Sequence, residues 1–372
     1  YLHWEAFNKE HDDRYDITRN LYKNTLGNKL CFEEVNHDLQ LTFRYTWLFS
    51  EQYGFVRNSE LINHGSAPRN IELVDGLQNL LPAGTPRFTQ TNSSNLVDAY
   101  KWSEVDAQTG LACFTLFSAI TDRAEPAESL KANTVFNLGL DNASVLLSAE
   151  QLKAFRQGQS INAEPHKRGI RGCYFVNSSF ALSGQSSKSW QIVSNVEQTQ
   201  TQVVSLASQL NDRSALANTI EQSIAHGSDE LSRIMASGDA FQMTAEEEVS
   251  VHHYANVQFN LLRGGAVDNQ YLINTSDFVH SIKHFNLDVF NRHQELLSGL
   301  PEQELFPRLL VLIKQANDPQ LLRLCYEYLP IAFGRRHGDP SRPWNDFAIK
   351  LKDENDNRLL TYQGNWRDIF QN

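Results

Sequence analysis

The stretch Leu39-Gln40-Leu41-Thr42-Phe43-Arg44-Tyr45-Thr46-Trp47-Leu48-Phe49 decides the fold class. Leu39, Leu41, Phe43, Tyr45, Trp47 and Phe49 alternate with Gln40, Thr42, Arg44 and Thr46. Successive side chains of a strand point to opposite faces, so a period of two makes one face apolar and aromatic and the other polar. That is the pattern of one sheet layer packed on another.

Working outward, strand-like runs recur on the C-terminal side. Phe55 to Ile62 stops at the turn cluster Asn63-His64-Gly65-Ser66, and Arg69 to Leu73 stops before Asp75-Gly76. Leu96 to Trp102 and Leu111 to Ile120 flank Asp106-Ala107-Gln108-Thr109-Gly110, a hairpin signal closed by Gly. The second of these runs is apolar on both faces and is expected to be central. Thr134 to Leu140, Ala143 to Leu147, Gly172 to Leu182 and Ser189 to Ser194 continue the series. One helix is expected among them, running to about Arg156 behind a Ser148/Gln151 capping box. Residues 29–197 therefore read as a large antiparallel β sandwich, with 1–28 as an irregular, aperiodic lead-in.

Near residue 198 the period changes. Leu216, Ile220, Ile224, Leu231 and Ile234 fall at helical spacings, and helices are expected at Ala245–Leu262, Thr275–Leu297, Glu302–Lys314 and Pro319–Leu329. Residues 198–333 form a helical region. Residues 334–372 hold a loop rich in Gly, Pro and Arg, a hairpin of Phe347–Lys352 with Leu359–Tyr362, and a final motif.

Composition excludes several functions. Apolar residues make up 41% and aromatic residues 10%, too much for a disordered chain. Thirty-three basic against 44 acidic residues give a net charge of −11 with no Lys/Arg block, which argues against nucleic acid and against an anionic membrane surface. No apolar run approaches the ~20 residues of a membrane span. Cys31, Cys113, Cys173 and Cys325 form no CxxC pair, and free buried thiols point to a reducing, cytoplasmic setting. The chain begins at Tyr1 without a Met and stops within a motif, and the expectation is a piece of something larger.

The chemistry concentrates in Gly364-Asn365-Trp366-Arg367-Asp368-Ile369-Phe370-Gln371-Asn372. On a helix Arg367 and Gln371 share one face, and Asp368 and Asn372 the adjacent one. Planar hydrogen-bonding groups beside a Trp ring suit a sugar, with its hydroxyls and apolar C–H faces. An Arg-Asp pair opening a helix also serves as a structural cap or ion pair. A second cluster, Arg335, Arg336, His337 and Arg342, is either a phosphate or entrance loop or an ordered loop paired with acids. His280 and His284 share a helix face with Asp277 one turn before, but no fourth ligand is apparent and no metal is expected.

Arg367-Asp368-x-x-Gln371-Asn372 resembles the Arg-Asp-x-x-Gln-Asp signature of the cellobiose phosphorylase-type family of inverting glycoside phosphorylases. The resemblance implies an α+β multidomain chain: an antiparallel β super-sandwich of the galactose mutarotase-like kind, a helical linker, and the beginning of an α/α toroid. It implies that Arg367 and Asp368 hold the non-reducing-end sugar, with Trp366, Gln371 and Asn372 in support. Asn372 departs from the family's Asp, so this position lacks the family's second carboxylate. The family's general acid lies further along the toroid, in a Trp-Asn-Asp context. Trp344-Asn345-Asp346 precedes the toroid and is read as coincidence, so no catalytic residue is expected within this chain. Implied partners are a disaccharide or oligosaccharide, inorganic phosphate as co-substrate, the rest of the toroid and a second copy in a homodimer. No metal or organic cofactor is implied. A toroid hydrolase using water is the close alternative. A non-catalytic carbohydrate-binding or assembly module is another, and it would require Phe43, Tyr45 and Trp47 to be exposed.

Overall fold

The computed structural model describes residues 2–120, 128–264, 266–328, 330–333, 337–339, 342–352 and 358–363. It divides into two units, Tyr1–Asp229 and Glu230–Asn372. In chain order the first unit contains β1 (Ile17–Lys23), β2 (Leu30–Asn36), β3 (Leu41–Ser50), β4 (Gly54–Asn63) and β5 (Arg69–Leu80). Then follow α1 (Arg87–Asn92), α2 (Ser94–Tyr100), β6 (Lys101–Val105), β7 (Ala112–Leu116), β8 (Lys131–Leu138) and β9 (Ser144–Leu146). The series continues with α3 (Leu152–Arg156), β10 (His166–Arg168), β11 (Gly172–Leu182), β12 (Ser186–Thr199), α4 (Gln200–Gln209) and α5 (Arg213–Ser237).

The strands form two antiparallel sheets. Nine strands run in the order β1-β2-β3-β4-β12-β8-β7-β6-β10, and three in the order β5-β11-β9. The core between them joins Leu61, Phe114, Val135 and Ile192 of the large sheet to Tyr174 and Val176 of the small one. Between the sheets lies a polar knot: the Arg57 guanidinium donates to Asp75 at 2.7 Å, and the Trp190 indole donates to the other Asp75 oxygen at 2.7 Å. The outer face of the large sheet is also covered. Leu48, Val56, Phe136 and Val193 pack there against Leu206 and Leu210 of the α4 region and Leu216, Ile220 and Ile224 of α5. Ser223 of α5 bonds Ser50 at 2.7 Å, and Arg213 donates to the Asn137 carbonyl at 2.7 Å.

The antiparallel sandwich-like sheets followed by helices agree with the fold class read from the sequence. Several local expectations are corrected. The lead-in over 1–28 contains β1, an edge strand paired in full register with β2. Its apolar side chains Leu21 and Tyr22 are exposed, and an edge strand with no buried face shows no period. The aperiodic start is fastened by Glu34 instead. This carboxylate, fully buried, accepts from the Trp4 indole, the Phe7 N–H and the Arg19 guanidinium, each at 2.7 Å. Of Leu96 to Trp102, read as strand, residues 96–100 lie in helix α2 and only Lys101 and Trp102 are strand, opening β6. The Asp75-Gly76 pair lies inside β5 rather than at its end. A Cβ on Gly76 would sit 2.0 Å from the Tyr174 carbonyl, so the glycine marks a close strand approach and not a turn. The Ser148/Gln151 capping box does not form, because buried Glu164 takes the Ser148 hydroxyl and the Gln151 amide. A true box forms later, where Thr199 and Gln202 open α4. The Asp106–Gly110 hairpin is present between β6 and β7, with Gly110 at φ +72°.

The second unit begins within α5 and continues with α6 (Glu247–Gly264), β13 (Ala266–Val267), β14 (Leu272–Asn274), α7 (Thr275–Phe285), α8 (Leu287–Arg292) and α9 (Gln294–Ser298). Next come β15 (Gln303–Leu305), α10 (Phe306–Gln315), α11 (Pro319–Glu327), β16 (Ile331–Phe333), β17 (His337–Asp339), β18 (Arg342–Lys352) and β19 (Arg358–Gln363). The single helix expected over Thr275–Leu297 is three pieces. Asn286 leaves helical conformation and its side chain caps α8 through the Val289 N–H at 3.1 Å. Phe278, Ile282, Leu309, Ile313, Leu321 and Cys325 close a separate core here. The expected hairpin forms as β18 and β19. Among the described residues no helix is long and apolar enough to cross a membrane.

Candidate functional site

The residues singled out for sugar binding, Trp366, Arg367, Asp368, Gln371 and Asn372, lie outside the described residues, as does the start of the toroid. Arg335 and Arg336 do too, while His337 opens β17 and Arg342 opens β18, so part of the stretch read as a loop is paired strand. Trp344-Asn345-Asp346 lies within β18, ahead of the β18–β19 hairpin.

The described residues hold a polar cleft on the outer face of the nine-stranded sheet. It has a volume of about 620 Å³, with β2, β3, β4, β8 and β12 as its floor and Ala217 and Glu221 of α5 as a wall. Its floor is two rows of side chains in cross-strand register. One row runs Cys31, Thr46, Asn58, Gln191, Leu138; the other runs Glu33, Arg44, Glu60, Ser189. In the charged row Arg44 gives Nε and a terminal nitrogen to one Glu60 oxygen at 2.8 and 2.6 Å and lies 3.9 Å from Glu33. The hydrogen bond to Glu60 raises the guanidinium pKa further, so Arg44 stays charged. In the neutral row Asn58 Oδ1 and Gln191 Oε1 are buried and have no hydrogen-bond partner among the described residues. No motif in the sequence marks this cleft. Its signal was the polar alternation Thr42, Arg44, Thr46 repeated as Asn58 and Glu60 on the next strand.

A second cleft of about 480 Å³ lies beside α4, lined by Trp102, Glu104, His166 and Arg168 with Val203 and Ala207. The Arg168 guanidinium lies 3.5 Å above the Trp102 ring, and the indole donates to Glu104 at 3.2 Å. His3, Glu5 and His11 bring donor atoms within 4.8 Å of one another. Arg156 grips both Glu5 oxygens at 2.8 and 2.9 Å and lowers the Glu5 pKa, which puts a positive charge beside any cation held there. The trio works as a clasp between the lead-in and α3. His280 and His284 are both exposed on α7, and Asp277 accepts a hydrogen bond from Tyr328. Phe43, Tyr45 and Trp47 are half-buried; Phe7 packs against the first two and Trp190 stacks on Phe43. No open aromatic stripe runs along β3.

Residues 267–330 match the family model described as glycoside hydrolase family 149 insertion domain 1. This is a segment of the chain, and it coincides with a physical unit: every residue of the second-unit core, from Ile273 to Tyr328, falls inside it. The chain thus carries a segment similar to a domain of glycoside hydrolase-type enzymes. Among solved structures it is similar to a bacterial glucoamylase complexed with acarbose, at 10% identity and a TM-score of 0.39 over 77% of this chain and 43% of that one. It is also similar to a family GH92 alpha-mannosidase from Bacteroides thetaiotaomicron, at 10% identity and a TM-score of 0.35 over 73% of this chain and 32% of that one. Likenesses this distant decide neither fold nor activity, and the chain spans less than half the length of either structure. No curated protein matches the sequence.

Proposed function

We propose that this chain is part of a carbohydrate-active enzyme of the glycoside phosphorylase kind, which cleaves a disaccharide or oligosaccharide with inorganic phosphate and inversion. The observation that supports it most is the match of 267–330 to a glycoside hydrolase family insertion domain. The order of sandwich, helices and hairpin agrees with the Arg367-Asp368-x-x-Gln371-Asn372 resemblance. In this reading Arg367 and Asp368 bind sugar hydroxyls through charge-assisted hydrogen bonds, Trp366 gives an apolar wall, and Gln371 and Asn372 extend the contacts. The chemistry needs a carboxylic acid that keeps its proton near neutral pH to protonate the glycosidic oxygen, while phosphate attacks the anomeric carbon from the opposite face. That acid lies outside these 372 residues, and the basic cluster Arg335, Arg336, His337 and Arg342 is the part of this chain suited to phosphate.

The test is an assay of the enzyme that contains this chain on neutral disaccharides, with and without phosphate. Phosphate-dependent release of a sugar 1-phosphate is expected. Equal release of free sugar without phosphate would make the enzyme a hydrolase. For the 372 residues alone, no turnover is expected, and Asp368→Ala should weaken sugar binding at least ~10-fold, as for loss of a charge-assisted contact. Turnover by the isolated chain would sink the placement of the acid, and equal binding by both forms would remove the sugar from the motif.

A further inference from the structure

We propose that the cleft between the outer face of the nine-stranded sheet and α5 is a binding site for a neutral, hydroxyl-rich ligand, a sugar ring, distinct from the motif at 366–372. The inference stands on the chemistry of the cleft and shares with the proposed function only the class of ligand.

Three observations carry it. The first is size: about 620 Å³ lies within the ~300–1,000 Å³ of small-molecule pockets and is far more than ordered water needs. The second is charge. Arg44 is already held by Glu60 at 2.6 and 2.8 Å and approached by Glu33, so it has little pull left for a phosphate or a carboxylate. Glu60 is held by the same guanidinium, and Glu33 accepts from Asn20 and from the Tyr22 hydroxyl. Glu221 on the α5 wall adds a third carboxylate against the one guanidinium, so the cleft disfavours anions and suits an uncharged ligand that brings hydroxyl donors. The third is the pair of carboxamides. Asn58 and Gln191 face each other in register on adjacent strands, and the oxygen of each is buried without a donor among the described residues.

Two buried acceptors with no donor, side by side on one pocket floor, are an unfilled hydrogen-bonding demand. The last torsion of an Asn or Gln side chain is broad, so each amide can turn its oxygen to an arriving hydroxyl at little cost. Hydroxyls both donate and accept, so a polyol can satisfy the oxygen and the nitrogen of each amide, while Thr46 alongside offers a further hydroxyl. Leu138 and Ala217 give the cleft an apolar side, which suits the C–H face of a pyranose.

Cys31 sits at the end of the amide row and reports on occupancy. The experiment follows alkylation of Cys31 by iodoacetamide in the full 372-residue chain, read by peptide mass, with glucose, cellobiose or inorganic phosphate as the probe. Saturable slowing of at least threefold is expected with one of the two sugars and none with phosphate. The protection should persist in Asp368→Ala and should require at least tenfold more sugar in the Asn58→Leu/Gln191→Leu chain. The wild-type chain is decisive even if the double variant fails to fold: no saturable protection by either sugar overturns the proposal. So does equal protection by phosphate, or loss of protection in Asp368→Ala, which would place the sugar at the terminal motif instead. Protection of Cys31 by sugar, together with no phosphate-dependent turnover by the parent enzyme, would leave this site standing while the phosphorylase reading falls.

Discussion

Asp75 shows what one side chain can hold together. Its carboxylate takes the Arg57 guanidinium on one oxygen and the Trp190 indole on the other, and Arg57 also reaches the Gly76 carbonyl at 3.1 Å. The Arg57 and Asp75 side chains are only 7% and 10% exposed. Removing one partner of such a pair leaves a buried charge without compensation, at a cost of about 3–5 kcal/mol. Asp75→Ala should lower stability by that amount in urea denaturation, and Asp75→Asn by less, since an amide oxygen still accepts from the indole. A loss below ~1 kcal/mol for Asp75→Ala would show that water reaches Arg57 and the knot is not a buried one. The adjoining glycine gives a sharper expectation. Gly76→Ala places a methyl 2.0 Å from the Tyr174 carbonyl, with backbone and not a flexible side chain in the way. The β5–β11 pairing must shift to admit it, and the variant should melt well below the parent.

At the scale of elements, α11 depends on its cap. Asp318 accepts from the Gln320 N–H at 2.8 Å, the Leu321 N–H at 3.4 Å, His293 Nε2 at 2.8 Å and Arg292 at 2.9 Å. The hydrogen bond from His293 is the chief reason its carboxyl sits below the usual carboxylate range. A depressed pKa means the folded state favours the charged form. The contribution is complete above the unfolded value of about 3.9 and fades as pH falls through the folded one. Asp318→Ala should cost about 0.5–2 kcal/mol at neutral pH, as for other helix caps, and the gap to the parent should narrow as pH falls through the depressed folded value. A pH-independent difference would mean that packing, and not the charged cap, carries the effect. The outer-face helix α5 depends on burial: Ile220 is fully buried between sheet and helix, and Ile220→Ala should cost about 2–5 kcal/mol by denaturation.

Across the whole molecule the four cysteines are free, two buried and two half-buried. Burial, aided by Glu104 and Asp106, pushes the Cys113 thiol up to about 11, and burial pushes Cys325 to about 11. Cys31, half-buried and lining the outer-face cleft, should be alkylated first in native protein near pH 8. Cys113 should follow more slowly, at a rate rising about tenfold per pH unit until its pKa is reached. Cys173 and Cys325 should react only after denaturation. Early labelling of Cys325 would contradict the closed helical core of the second unit.

The sequence by itself determined what is local and periodic. Alternation over Leu41–Ser50, Gly54–Asn63 and Gly172–Leu182 specified half-buried strands, because side chains must alternate across a sheet whatever lies above it. Helical spacing marked the change after residue 198, and Pro301, Pro319 and the Asp353–Asn357 cluster punctuated the rest. What the sequence hid depends on partners far along the chain. Asp75-Gly76 reads as a turn until Arg57, Tyr174 and Trp190 are seen around it. Residues 1–28 read as irregular until Glu34 is found gripping Trp4, Phe7 and Arg19. The polar face of β3 reads as solvated until α5, far along the chain, is laid over its end to make a cleft. Buried charges and close approaches are set by which surfaces meet, and that meeting is decided only by the tertiary structure.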